Sequence, residues 1–252
     1  MFDANKTSEE IIEFIRKYYR ENNLKGAVIG ISGGKDSAVV AGLFVKALGK
    51  ENVVGIWLPC HSKEEDKMNA KELAHHFGFE LKEFDLTNIF DGYEEQFKNI
   101  NNPLDIELID ANINIKPRLR MTTLYYYAAY LSKKNKGAYI VPGTSNKCEI
   151  YVGYFTKGGD NVCDIQVLSD LTVEEVIKVG EAIGVPKNII YKTPDDGLSG
   201  KTDEEKLGVK YKEITDVIET EGKNIREETK EKIQILHKNN MHKFNIPTYR
   251  RK

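Results

Sequence analysis

Between residues 8 and 22 the apolar positions Ile11, Ile12, Ile15, Tyr18 and Tyr19 fall on one face of a helix, with Ser8 as its expected N-cap and Glu9 and Glu10 in its first turn. The next apolar run has a different character. AVIGIS, from Ala27, is short and rich in β-branched residues and reads as a strand; Gly33-Gly34 and a helical pattern from about Asp36 to Leu48 follow it. The alternation then repeats, with VVGIWL from Val53 as a strand, a helix from Glu64 ended by Gly78, and ELKEFD from Glu80 as a strand. A helix from about Leu119 to Lys134, a fourth strand AYIVPGT from Ala138, and a helix capped by Thr172 continue it. Strands and helices in turn predict an α/β fold, a central parallel sheet flanked by helices. Two stretches break the pattern, residues 145–164 with Gly153, Gly158 and Gly159, and TPDDGLSGKTD over 193–203, and both read as loops.

At 252 residues and 40% hydrophobic content the chain suits one core, so residues 1–252 are expected to form a single domain. Subtracting 39 acidic from 37 basic residues leaves a net charge of −2, which offers no general attraction to a polyanion, and no nucleic-acid partner is expected. No stretch approaches the ~18 consecutive apolar residues of a membrane span, and the start MFDANKTSEE lacks the features of a signal peptide. A cytoplasmic protein with no membrane partner is the expectation. Cys60, Cys148 and Cys163 form no CxxC pair and read as reduced thiols, and His61, His75, His76 and His237 have no metal-ligand spacing. The basic end HKFNIPTYRRK, taken alone, reads as a solvated tail.

Candidate chemistry concentrates at Gly30-Ile31-Ser32-Gly33-Gly34-Lys35-Asp36-Ser37, between the first strand and the helix after it. Glycines let the backbone approach an anion, successive N–H groups and the helix N-terminus supply positive potential, and Ser32 and Ser37 can donate to phosphate oxygens. The spacing matches neither GxxxxGK[ST] nor GxGxxG. Asp36 beside a triphosphate calls for a cation, and magnesium is the expected one.

The block resembles the SGGxDS signature of the N-type ATP pyrophosphatases (adenine nucleotide alpha hydrolase-like proteins), a group that uses ATP to adenylate an oxygen and release pyrophosphate, and the resemblance implies a Rossmann-like open parallel sheet. Within that group the chain is similar to the NAD synthetase family over nearly its whole length, through NIKPRLRM from Asn114, VPGTSNKCEIYVGYFTKGGD from Val141 and DGLSGKTDEEKLGVKY from Asp196. The resemblance implies amidation of deamido-NAD to NAD through a nicotinyl-adenylate, with ATP as co-substrate. Asp36 and Glu149 would hold magnesium, Thr144 would touch ATP, and Arg118, Lys157, Asp164, His242 and Lys243 would contact deamido-NAD. Lys157 has a second reading, as a cation stabilising charge at the α-phosphate during adenylation.

The length leaves no room for a glutaminase domain, so ammonia, free or from a separate protein, is the expected nitrogen donor. By the same resemblance the helix carrying Tyr125, Tyr126, Tyr127 and Tyr130 would contribute to a homodimer interface. The sequence departs from the family pattern at Val173, where many members carry lysine, and at Asp195, where serine or threonine is usual; both positions commonly face the phosphates. A tRNA-modifying relative would need a cysteine pair or a basic appendage, and a GMP-synthetase-like subunit would lack YFTKGGD and the His242-Lys243 pair. A silent nucleotide-binding module is the alternative of a different class.

Overall fold

β1 (Leu24–Gly30) is the centre of the molecule, because residues on both of its faces are apolar and shielded from water. Ala27, Ile29 and the following Ile31 point into one core and Val28 into another, the period-2 alternation of a strand covered on both sides. The computed structural model describes residues 2–192, 202–244 and 246–251. α1 (Ala4–Glu21) precedes β1 and begins upstream of the expected Ser8 cap. Asp3 is the N-cap, its carboxylate accepting the Lys6 N–H at 3.0 Å, while the Ser8 hydroxyl lies inside the helix and donates to the Asn5 carbonyl. A carboxylate outcompetes a hydroxyl here because it also meets the positive end of the helix.

α2 (Lys35–Leu48), β2 (Val53–Trp57), α3 (Glu64–Phe77) and β3 (Glu80–Glu83) follow in the expected order, and Gly78 ends α3 in the left-handed conformation. α4 (Thr87–Asn101) is an additional helix between β3 and α5, its Ile89, Phe90, Tyr93, Phe97 and Ile100 recurring at helical spacing. α5 (Asp105–Asn135) starts well before the expected Leu119 and carries Pro117 within it, a residue that reads in sequence as a boundary. The AYIVPGT segment divides into β4 (Ala138–Ile140) and β5 (Pro142–Gly143), and β5 pairs with β6 (Ile165–Gln166). The presumed loop 145–164 contains a helix, α6 (Lys147–Val152), too short to show periodicity. α7 (Val173–Ile183) is capped by Thr172 as expected, and α8 (Lys187–Ile190), α9 (Asp203–Leu207), α10 (Tyr211–Thr220) and α11 (Glu227–Asn240) complete the chain before a 3-10 turn at Met241–Lys243.

The main sheet is parallel throughout, in the order β3-β2-β1-β4, confirming the open α/β fold. α1, α2 and α7 cover one face through Ile15, Val40, Phe44 and Val179; α4 and α5 cover the other through Phe90, Ala128 and Leu131. A third apolar cluster joins α6, α7, α10 and α11 around Cys148, Val173, Ile214 and Ile233. The half-buried Ile177 packs against the first and third clusters and ties them together. The chain runs outward from β1 to β3 and returns on the other side of β1 at β4, so a crevice opens at the carboxyl ends of β1 and β4. Among the described residues no helix is long and apolar enough to cross a membrane.

Candidate active site

The SGGxDS loop leaves β1 at this crevice. Its serines brace the turn: the Ser32 N–H donates to Ser37 Oγ, Gly34 N–H donates to Ser32 Oγ, and Ser37 Oγ donates to the Gly34 carbonyl. Gly33 has φ of +80°, and a Cβ there would lie 2.5 Å from the Asp66 carbonyl oxygen, so only glycine lets α3 sit this close. Gly34 precedes α2 with no side-chain cap, which leaves the first N–H groups of a fourteen-residue helix open to an anion.

The helix that follows carries two charged residues inward. Lys35 is only 4% exposed and its ammonium lies 2.7 Å from Asp36 Oδ2. Burial alone would lower the Lys35 ammonium, but Asp36, Glu149 and Asp203 more than offset it and hold the group above the ordinary lysine range. Asn146, fully buried, joins this segment to the end of the second motif. Its carboxamide oxygen accepts the Cys148 and Glu149 N–H groups as the cap of α6, its NH₂ donates to Asp36 Oδ1 at 3.3 Å, and its own N–H is accepted by Glu149 Oε2 at 3.0 Å. Burial and the neighbouring Asp36 push the Glu149 carboxyl up to about 8. Asp36 and Glu149, joined through Asn146, place acidic oxygen donors side by side, a donor set that fits a divalent ion. Among the described residues no group of three or more His, Cys, Asp or Glu side chains is arranged to hold a metal.

Asp203, which opens α9, was not singled out in the sequence. It is buried beside this pair and accepts from the Tyr154 hydroxyl at 3.0 Å and the Tyr211 hydroxyl at 3.4 Å. Thr144 is half-buried just past β5, and Val173 packs into the third cluster. Asp195 falls in 193–201, outside the described residues.

The other residues expected at the substrate meet at the far side of the loop 153–160. Arg118, exposed on α5, donates from Nε and Nη2 to the Lys157 carbonyl at 3.3 and 3.2 Å. Lys157 Nζ reaches the His242 carbonyl at 3.1 Å, and Lys243 Nζ donates to the carbonyls of Gly153 and Phe155 at 2.6 and 2.9 Å. The basic end is thus not a free solvated tail at residues 242 and 243. Gly153, with φ of +67°, would place a Cβ 2.3 Å from Asn240 Cβ, so the loop rests directly on the end of α11. Asp164 stands apart from these cations: its Oδ2 accepts the Val141 N–H at 2.8 Å, and the Tyr125 hydroxyl bonds to the same carboxylate. Asp160, also missed, accepts the Thr156 N–H at 2.9 Å and fixes the loop's turn.

A phosphate-receptive helix start and an adjacent half-buried carboxylate pair lie at the point where a parallel sheet reverses its strand order, the arrangement of a nucleotide-binding α/β protein. The sequence pattern of the family described as NAD synthase matches residues 7–247, and the chain belongs to that family. An NH(3)-dependent NAD(+) synthetase from Carboxydothermus hydrogenoformans is 39% identical over 242 residues, covering 95% of each chain. Among solved structures, an NMN synthetase from Francisella tularensis superposes with a TM-score of 0.86 at 32% identity over 99% of both chains. An NH3-dependent NAD synthetase from Campylobacter jejuni does so with 0.79 at 25% identity over 100% of both.

Proposed function

We propose that this protein forms NAD from deamido-NAD and ammonia, using ATP to activate the nicotinate carboxylate. The observation that carries the reading is the Asp36–Asn146–Glu149 link, which brings the phosphate loop and the second motif to one point in a chain of the NAD synthase family. A carboxylate does not exchange oxide for ammonia at neutral pH, so a better leaving group is needed. A nicotinate oxygen attacks the α-phosphorus and the bond to pyrophosphate breaks. The ammonia lone pair then attacks the acyl carbon, the bond to AMP breaks with its electron pair, and the nitrogen sheds one proton to leave the amide.

The chain's own groups mainly position and neutralise. The backbone of Gly30 to Ser37, with Lys35 at its end, holds the triphosphate, and Thr144 borders it from the opposite strand. Magnesium held by Asp36 and Glu149, when bound, would offset the charge of the phosphates. Arg118 and Lys157 face anionic parts of the dinucleotide, with Lys157 alternatively near the α-phosphate. Lys243 and His242 hold the loop 153–160 from behind, and Asp164 anchors the strand that carries Thr144.

The assembly we propose is a cytoplasmic homodimer. Tyr126 and Ile100, on α5 and α4, are 74% and 78% exposed, more apolar area than a solvated surface usually leaves uncovered. The test is incubation with Mg-ATP, ammonium and deamido-NAD: NAD and AMP are expected in equal amounts, and their absence would refute the reading. The likeness to an NMN synthetase favours a second acceptor, the nicotinate mononucleotide, which undergoes the same amidation. A parallel reaction with the mononucleotide decides between them by the ratio of kcat/KM.

A further inference from the structure

The side chain of Lys35 begins on the first residue of α2, a position from which a lysine ordinarily reaches water, yet it turns inward and is 4% exposed. Its ammonium lies 2.7 Å from Asp36 Oδ2 and 5.9 Å from the centroid of the Tyr211 ring, within the field of Glu149 and Asp203. We propose that Lys35 is a tethered cation that occupies the carboxylate site of the free protein and keeps a divalent metal out until ATP arrives, so that metal and nucleotide enter together. The inference rests on Asp36 and Glu149 being the magnesium ligands.

Three observations carry it. Asp36 Oδ2 is held by the Lys35 ammonium at 2.7 Å and Oδ1 by Asn146, so a divalent ion approaching Oδ2 meets a positive charge already seated there. Three acidic side chains, Asp36, Glu149 and Asp203, gather at one point, and Lys35 supplies the positive charge among them from within the chain. The protein donors alone are also too few: no group of three or more His, Cys, Asp or Glu among the described residues is placed to hold an ion, and magnesium is commonly held by one or two carboxylates together with substrate phosphates.

The uncapped start of α2 receives those phosphates at the residue that bears the lysine. A triphosphate there offers Lys35 a second anion and the metal its missing oxygens. Release of Asp36 and capture of the ion then become one event. By linkage, nucleotide must strengthen metal binding by the same factor that metal strengthens nucleotide binding.

The test is titration with Mn²⁺, followed by the loss of the free-ion EPR signal, on the whole protein with and without α,β-methylene-ATP. Without nucleotide, Lys35→Met is expected to bind Mn²⁺ roughly 5- to 150-fold more tightly than the unmodified protein, the usual range for a coupling of this kind, and the difference should largely close with the analogue present. Equal affinities without nucleotide would overturn the proposal. Lys35→Gln, which keeps a donor for Asp36 but no charge, should show the same gain and serves if the methionine variant does not fold. In Lys35→Met/Asp36→Asn the gain should vanish; its persistence would place the ion elsewhere and overturn the metal-ligand reading itself. None of these readings depends on NAD being formed, so failure of the amidation assay would leave them interpretable.

Discussion

The NH₂ group of Asn146 donates to Asp36 Oδ1 across 110 residues of sequence, while its carboxamide oxygen caps the helix that carries Glu149. One neutral side chain therefore sets the separation of two acidic ones. Asn146→Ala should lose the cap, at a cost of roughly 0.5–2 kcal/mol, together with the link to Asp36. Asn146→Ser keeps a capping oxygen but cannot reach Asp36, and is expected to melt near the unmodified protein while releasing pyrophosphate far more slowly. A wild-type rate in Asn146→Ser would show that the link has no bearing on catalysis.

Asp36→Asn and Glu149→Gln are nearly isosteric and remove only charge. Each should abolish pyrophosphate release while thermal unfolding stays cooperative. If both groups act on one ion, the double variant should be little worse than either single one, a non-additivity that a rate comparison reads directly.

Arg118 holds the Lys157 carbonyl with two N–H groups and is exposed. A charge-assisted contact to a carboxylate or phosphate is worth roughly 1.5–3 kcal/mol, so Arg118→Ala should weaken deamido-NAD about 10- to 150-fold. The ATP constant should move far less. Equal loss of both, measured by separate titrations, would mark the arginine as a structural brace.

Tyr126→Glu puts a charge in the middle of the exposed apolar face of α5. Sedimentation of the unmodified protein is expected to give twice the 28.7 kDa chain mass, and the variant should shift towards the single chain. An unmodified protein that sediments at the chain mass would contradict the dimer.

Lys116 is 7% exposed with its ammonium 4.8 Å from the Phe90 ring centroid, and burial lowers its pKa from 10.5. The unfolded chain therefore binds this proton more readily than the folded one in the window below 10.5, and the resulting penalty is present at neutral pH and relieved as pH rises. Lys116→Met should stabilise the protein at pH 7, by about 0.5–2 kcal/mol, the usual gain from removing such a liability. Melting curves on moving from neutral to alkaline pH should show the gain shrinking; a constant difference would mean that packing, not charge, is responsible.

Much of this architecture is legible in sequence for physical reasons. AVIGIS and VVGIWL stand out because parallel strands covered on both faces need unbroken apolar runs. The glycine pair stands out because few other residues permit the approach of α3 over Gly33. The start of α1 is ambiguous in sequence because Ser8 and Asp3 both satisfy a capping pattern, and only the fold decides which backbone N–H groups lack partners. α5 was cut short because Pro117 reads as a helix boundary in sequence yet lies inside the helix. Asn146 and Asp203 lay hidden in presumed loops, although Asn146-x-x-Glu149 and Thr202-x-x-Glu205 both carry the spacing of a capping box. The inward turn of Lys35 is not legible locally: Asp36 stands next to it in sequence, but Glu149 and Asp203, which complete the acidic surroundings, lie more than a hundred residues further along the chain.

The contacts of Asn240 and Lys243 with the loop 153–160 also bear on how the protein comes to life on the ribosome. Chains are made from the N-terminus, and the sheet residues 24–57 emerge long before α11. A nascent chain thus has its phosphate loop outside the ribosome while the loop 153–160 still lacks the end of α11 that supports it. Ile233 of α11 is also buried against Cys148 and Val152 of α6, so translation halted before α11 would leave the Glu149 helix without part of its packing and the loop without its back wall. The part of the molecule that is synthesised last decides whether the part synthesised first can be put to use.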